Sequence, residues 1–364
     1  MGIHVSLATP ADDASIRGLL RREPVGGRIA ISYERDPDFA IGCEATGENI
    51  TVLVARDLES GVLAGVACQS EREVYVNSAP TRLGYLGQLR TDRRYRGRWL
   101  VSRGYSLLRR LHERNPLPGY LAAVTTDNRE ATGVLIEKPR RLFPSFHPIA
   151  RYCTLALQVK RFKREPKIVA ATPDDIPEVI RFLQTEGPRR QFFPVWTAER
   201  MLRLVDALGL RFEDIQIARR NGSIAGVIGM WDQSAYKQNI VHSYAGWLKL
   251  VAPLYNATAP WLMRPRLPRP GEKIRNAYAA FVCVAKDNPN VFGDLLTATM
   301  ARAATCGLDY LLLGLDERDA LLDIAREHPH ILYQSRLYLA EWPDGGHLHA
   351  RLDDRPSYVE IATL

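Results

Sequence analysis

Apolar and polar positions alternate along the first 160 residues in a definite order, and the order then starts again. Residues 5–8, 51–56, 62–76, 85–91, 120–125 and 149–159 follow the two-residue period of strands. Residues 12–22, 36–45, 100–113 and 129–137 carry apolar positions three and four apart, the mark of helices with one buried face. From residue 168 the sequence predicts strands over 168–170, 215–218, 223–231, 279–285, 310–315 and 331–342, with helices over 176–186, 292–306 and 319–327. Two local echoes support the repeat. Thr9-Pro10 and Thr172-Pro173 each follow a short strand and open an acidic helix start, where threonine caps free N–H groups and proline fits the first turn. Ala64-Gly65-Val66 and Ala225-Gly226-Val227 each follow a glycine turn. The offsets, 163 residues for Thr9 and Thr172 and 161 for Ala64 and Ala225, agree closely enough to make one duplicated unit the economical reading.

This division predicts a first domain over 1–160, a basic linker at 161–166 within Val159-Lys160-Arg161-Phe162-Lys163-Arg164-Glu165-Pro166, and a second domain over 167–364. An insertion at 255–273 carries Pro260, Pro265, Pro268 and Pro270 with Arg264, Arg266 and Arg269, a density of proline that predicts a surface loop.

A hydrophobic share of 46% beside 25% charged residues excludes a disordered chain. The apolar runs are too short to span a bilayer, and residues 1–20 lack the pattern of a secretory leader. Five scattered cysteines without metal-ligand spacing fit reduced thiols, and the expected setting is cytoplasmic, with no metal and no membrane. A net charge of +8 fits an anionic ligand; nucleic acid is not expected, since no recognition motif accompanies the charge.

The most informative segment runs from Gly84 to Leu111. A strand ends in an arginine-rich turn, Arg93-Arg94-Tyr95-Arg96-Gly97-Arg98, and opens directly into a helix with Leu100, Leu107, Leu108 and Leu111 on one side. The first N–H groups of such a helix, with the positive end of its dipole, make a site for a phosphate. This layout resembles the acyl-CoA site of the GNAT N-acyltransferases. The family's turn has the common form Tyr-Arg-Gly-x-Gly-x-Gly, matched here by Tyr95, Arg96, Gly97 and Arg98, whereas Trp99 and Val101 stand where its later glycines belong.

The resemblance implies an α/β (α+β) protein of two tandem GNAT-like domains, each a mixed, mostly antiparallel sheet flanked by helices. It implies pantetheine along Leu89, Arg90 and Thr91, and pyrophosphate at Arg96, Gly97, Arg98, Trp99, Leu100, Val101 and Ser102. Asn128, with Ala131, matches the family's Asn-x-x-Ala segment and either bonds the pantetheine arm or caps the next helix. Leu135 occupies the place where the family often has an acidic tyrosine, and Glu73 with Tyr85 are the candidate catalytic pair. The turn at Lys286 lacks the arginines and glycines, so the second domain is expected to be a degenerate copy. The implied activity is transfer of acetyl from acetyl-CoA, or another acyl-CoA, to an amine on a small molecule or peptide. A GNAT-fold binding protein without turnover and an aminoacyl-tRNA-dependent transferase are the alternatives.

Overall fold

The computed structural model describes residues 2–27, 29–97, 99–136, 143–159, 168–259 and 266–364. Arg98 and the linker at 161–166 lie outside the described residues. In chain order the first half contains β1 (Ile3–Leu7), α1 (Asp13–Arg22), β2 (Ile29–Glu34), α2 (Phe39–Glu44), β3 (Glu48–Asp57), β4 (Leu63–Val76) and β5 (Ala79–Thr91), then α3 (Leu100–Arg114), β6 (Tyr120–Thr125), α4 (Arg129–Leu135) and β7 (Ser145–Gln158). The second half contains β8 (Ile168–Ala170), α5 (Ile176–Glu186), α6 (Ala198–Leu208), β9 (Ile215–Arg220), β10 (Ser223–Trp231), β11 (Gln238–Tyr244) and α7 (Trp247–Thr258), then β12 (Asn276–Val284), α8 (Pro289–Thr305), β13 (Tyr310–Asp316), α9 (Leu321–Arg326) and β14 (His330–Glu341). Among the described residues no helix is long and apolar enough to cross a membrane.

The two predicted helix starts fold alike. Asp12 Oδ2 accepts from the backbone N–H (2.7 Å) and hydroxyl (2.9 Å) of Thr9, and Asp175 Oδ2 does the same for Thr172 at 2.8 and 2.7 Å. These are reciprocal capping boxes, which satisfy N–H groups the helix itself leaves open.

The described strands form one twelve-stranded, mostly antiparallel sheet in the order β1-β3-β4-β5-β6-β14-β7-β13-β12-β10-β9-β8. The final strands of the two halves are exchanged. β14 inserts between β6 and β7, pairing antiparallel with both, and β7 pairs antiparallel with β13 from Tyr310↔Gln158 to Asp316↔Tyr152. The largest core lies between β9, β10, β12 and β13 and helices α5 and α8, centred on Trp196, Phe281 and Phe292, all at most 1% exposed. A second link joins the halves outside the main sheet: β2 and β11 form an antiparallel ribbon from Gln238↔Glu34 to Tyr244↔Ile29.

The sequence pattern did not call for β2, β11, α6 or α7. The 255–273 insertion begins as the last turn of α7, a helix that holds Pro253 inside it. Residues 266–273 form the expected loop, and 260–265 lie outside the described residues.

Candidate functional site

The site begins where two strands part. β5 and β6 run parallel, and among the described residues their register holds for Gly84↔Tyr120 and Tyr85↔Leu121. Gly84 permits the close approach, because a Cβ there would meet the Tyr120 ring at 2.1 Å. Past these pairs the strands diverge, and β5 is bent by a bulge against β4 between Val66↔Arg90 and Cys68↔Gly87. Gln88 takes the strain of that bulge with φ at 55°. The wedge so opened widens into a cleft of about 420 Å3 lined by both halves. Leu89, Arg90 and Thr91 line it from β5, Leu100, Val101 and Gly104 from α3, and Tyr244, Tyr278 and Tyr333 from the second half. Gly104 was not singled out by the sequence motif; no atom lies within 4 Å of where its Cβ would be, so this helix face stays open to the cleft.

At the mouth, Gly97 turns with φ at 77° and Trp99 caps α3 with φ at 63°. Trp99 is 66% exposed, so its ring gains little burial to offset a left-handed backbone that costs an L-residue about 1–2 kcal/mol. The first helical bond of α3 is Arg103 N–H to Trp99 O at 3.0 Å, so the N–H groups of Leu100, Val101 and Ser102 precede the helical ladder. Several of the turn's arginines have acidic neighbours. Glu23 accepts from Arg96 Nη2 at 3.2 Å and from Arg93 N–H at 3.1 Å, and Asp92 holds Arg94 at 2.6 Å. An incoming anion therefore competes with Glu23 for Arg96, which weakens the turn's pull on a pyrophosphate.

The structure brings together Leu89, Arg90, Thr91, Leu100, Val101 and Asn128 around the cleft, while Arg96, Gly97, Trp99 and Ser102 stand at its mouth. Asn128 caps α4, its Oδ1 accepting from Ala131 N–H at 3.0 Å. Tyr85 lines the cleft but is 7% exposed, with the Arg72 guanidinium 4.1 Å from its ring centre. Burial raises the Tyr85 pKa above the ordinary phenol value despite Arg72, which makes it a poorer base than an exposed tyrosine.

The pairing of Glu73 with Tyr85 is corrected. Tyr85 lies opposite Ser70, Glu73 opposite Arg82, so the period of two sends Glu73 to the other face, where it is exposed. Glu71 is buried but spent on Asn49, Asn115 and Arg82. Leu135 is buried in the core beside α3 and lines the cleft. Among the described residues no Asp, Glu or His lines the cleft.

The second half repeats the backbone and fills the space. β12 bulges against β10 between Val227↔Cys283 and Gly229↔Ala280, with Phe281 at φ 57° where β5 has Gln88 at 55°. β12 and β13 are parallel over Asn276↔Tyr310, Ala277↔Leu311 and Tyr278↔Leu312. Beyond this the C-terminal segment occupies the gap. Phe281 N–H donates to Glu360 Oε2 at 2.9 Å, and Val282 N–H to the Tyr358 hydroxyl at 3.2 Å. Both side chains are 1% exposed. At the turn that follows, Asn288 caps α8 while Asp287 binds Arg190 (2.7 Å) and Arg189 (3.1 Å). In the second half the chain itself thus engages the strand N–H groups and the helix start that correspond to the edge of the first-half cleft.

Away from the cleft, His147, Glu341 and His349 converge, with Glu341 Oε2 2.5 Å from His349 Nδ1. The imidazoles of His147 and His349 are stacked at 3.4 Å with a 5° angle. Their lone pairs lie in parallel planes, an arrangement that one ion could not share without rotation of a ring.

No protein-family model matches the chain, and no curated protein sequence does. Solved structures do match its backbone. The Saccharomyces cerevisiae N-myristoyltransferase with bound myristoyl-CoA superposes with a TM-score of 0.62 at 11% identity, over 93% of this chain and 82% of that one. A GCN5-related N-acetyltransferase from Sphaerobacter thermophilus gives 0.56 at 13%, over 100% and 98%. The glucosamine N-acetyltransferase region of a fungal multi-domain GH3 β-N-acetylglucosaminidase gives 0.61 at 14%, over 93% of this chain and 38% of that one. At these identities the likeness is one of fold: the chain has the GNAT fold, in the tandem arrangement, over nearly its full length.

Proposed function

We propose that the protein is an N-acyltransferase that binds acyl-CoA in the first-half wedge and transfers the acyl group to an amine entering between the halves. The observation that carries this reading is the asymmetry of the two wedges: the one between β5 and β6 is open, and its counterpart is filled by Tyr358 and Glu360. The thioester lies along Leu89, Arg90 and Thr91, with the pyrophosphate at Arg96 to Ser102, including Arg98. The amine nitrogen attacks the thioester carbonyl while a backbone N–H of the bulged strand steadies the developing oxyanion. The tetrahedral intermediate then expels the CoA thiolate, and the proton lost by the amine restores the thiol. No metal is needed for these steps. Acetyl is the simplest group to propose, and the apolar lining admits longer chains. The neighbours support the choice of co-substrate, since one of them is described with bound myristoyl-CoA. The acceptor is a small molecule or a peptide amine.

A second reading is favoured by the lining itself. With no Asp, Glu or His side chain among the described cleft residues, the fold would bind CoA and not turn it over. Titration calorimetry with acetyl-CoA and myristoyl-CoA, followed by a thiol-release assay over a panel of amines, separates the two. Binding with amine-dependent thiol release supports the transferase, and binding without release supports the second reading. Failure of every acyl-CoA to bind at millimolar concentration removes both.

A further inference from the structure

The inner end of the cleft holds more positive charge than the chain balances. Arg35, just past the end of β2, is 1% exposed and lines the cleft. Its Nη1 donates to the Glu34 carbonyl at 3.0 Å and its Nε has no partner. Its stem lies across Gly42 of α2, where a Cβ would come within 2.2 Å of Arg35 Cδ, so the guanidinium is held in place by packing. Lys237 enters from the second half, 7% exposed, 4.4 Å above the Tyr278 ring, with Nζ bonded to the main-chain oxygens of Leu364 (2.7 Å) and Ala362 (3.4 Å). Arg90 comes from β5, bonded to the Leu89 carbonyl at 2.8 Å and 5.9 Å from the Tyr33 ring.

Among the described residues none of the three pairs with Asp or Glu, and the charges they meet include one another. Arg35 acts on both Arg90 and Lys237, and Arg72 adds to the second. Burial followed by these cations pushes the Lys237 amine well below its ordinary pKa, and burial lowers the Arg35 guanidinium, opposed by Tyr278, Cys43, Cys68 and Tyr236 rather than by a carboxylate. The buried acid of this region, Glu360, is turned to Phe281 N–H and Tyr358. A free carboxylate at Leu364 would balance Lys237 and still leave Arg35 and Arg90 facing the cleft. Withdrawing a guanidinium from water without an anion is among the costlier things a fold does, and its persistence at a ligand-sized cavity points to a ligand that supplies the charge.

We propose that this end of the cleft is an anion subsite, in which Arg35, with Lys237 and Arg90, receives a carboxylate carried either by the acceptor or by the far end of the acyl chain. The subsite rests on reading the cleft as the place of acyl transfer, and it narrows the substrate to a ligand with an apolar body and an acidic end. Arg35 offers the planar donors that suit a carboxylate, and the surrounding tyrosines cover the apolar part. The geometry also explains the ribbon of β2 and β11: it joins the strand that leads to Arg35 to the one that follows Lys237.

The test uses the full chain and two matched pairs of probes in low-salt calorimetry. One pair is hexanoate and hexanamide, and the other is succinyl-CoA and butyryl-CoA. At least a ten-fold preference for the charged member of either pair is expected, the first locating the acid on the acceptor and the second on the acyl chain. Arg35→Gln should erase the preference and leave acetyl-CoA affinity unchanged, and Arg35→Lys should restore part of it. If a melting curve shows that Arg35→Gln does not fold, Lys237→Met takes its place. A wild-type protein that binds acetyl-CoA but shows no preference in either pair overturns the subsite. So does a preference that survives in both folded variants. A hexanoate preference with no acetyl-CoA binding keeps the subsite and removes the transferase reading.

Discussion

Replacing Glu360 by glutamine tests the filled wedge through its pH dependence. The carboxyl is 1% exposed, and burial raises its pKa from 4.5 to about 7, opposed by bonds from Phe281 N–H and Tyr358 and by the charge of Arg72. Such a group favours the folded state most below its unfolded pKa, where it is protonated in both states. That contribution is lost as pH rises through the folded value of about 7. A shift of this size corresponds to about 3 kcal/mol, at 1.36 kcal/mol per pKa unit. Asp36 and Asp92 have lowered pKa values and respond in the opposite sense, but they are present in both proteins and cancel in the difference. Urea unfolding of wild type and Glu360→Gln at intervals from pH 4.5 to 8 should show the variant gaining on wild type by about 3 kcal/mol across that window. Parallel curves would mean that the carboxyl is not buried against the β12 backbone as described, and the account of the second wedge would fall with it.

Trp99→Gly should raise stability by about 1 kcal/mol by relieving the left-handed cap and should tighten acetyl-CoA binding by clearing the turn; a lower melting temperature counts against it. Gly104→Phe should abolish acyl-CoA binding with little change in melting temperature, since its ring points into open space; calorimetry beside circular dichroism reads both, and unchanged affinity would move the ligand away from α3. Arg96→Glu should remove the thermal shift given by acetyl-CoA, about 2.7 kcal/mol at a hundred times Kd, whereas Lys286→Glu, at the filled turn, should leave it; the reverse result would place the ligand in the other half.

Local signals made much of this molecule legible. Apolar periodicity found β5 and α3 and the turn between them, and the twin Thr-Pro starts exposed the repeat, because these features are encoded within about 30 residues of chain. What escaped was set at long range. Ile29, Ile31 and Tyr33 alternate as a strand should, yet β2 is short and its partner lies some 200 residues away in β11. α6 has a good cap, Thr197 accepting from Arg200 N–H, but lies in a stretch that the repeat offered no reason to fill. Glu73 was misjudged because a difference of one in strand register decides which face a carboxylate occupies. Arg35 could not be chosen from 49 lysines and arginines; its burial without an acid exists only once α2, β4 and the second half close around it.

The exchange of final strands bears on why one wedge is open and its twin is not. Because β14 completes the first half and β7 the second, the chain beyond β14 starts from within the sheet. From there residues 342–364 return across it to place Tyr358 and Glu360 against β12. A plug on the same chain is present at high effective concentration whatever the ligand supply, so the second wedge is occupied as a matter of folding. The same return brings Ile361 and Leu364 to the wall of the open cleft and sets the Leu364 oxygen against Lys237. The tail that fills one site therefore furnishes part of the other. In this arrangement the second half has its own wedge filled and supplies the far wall of the first-half cleft.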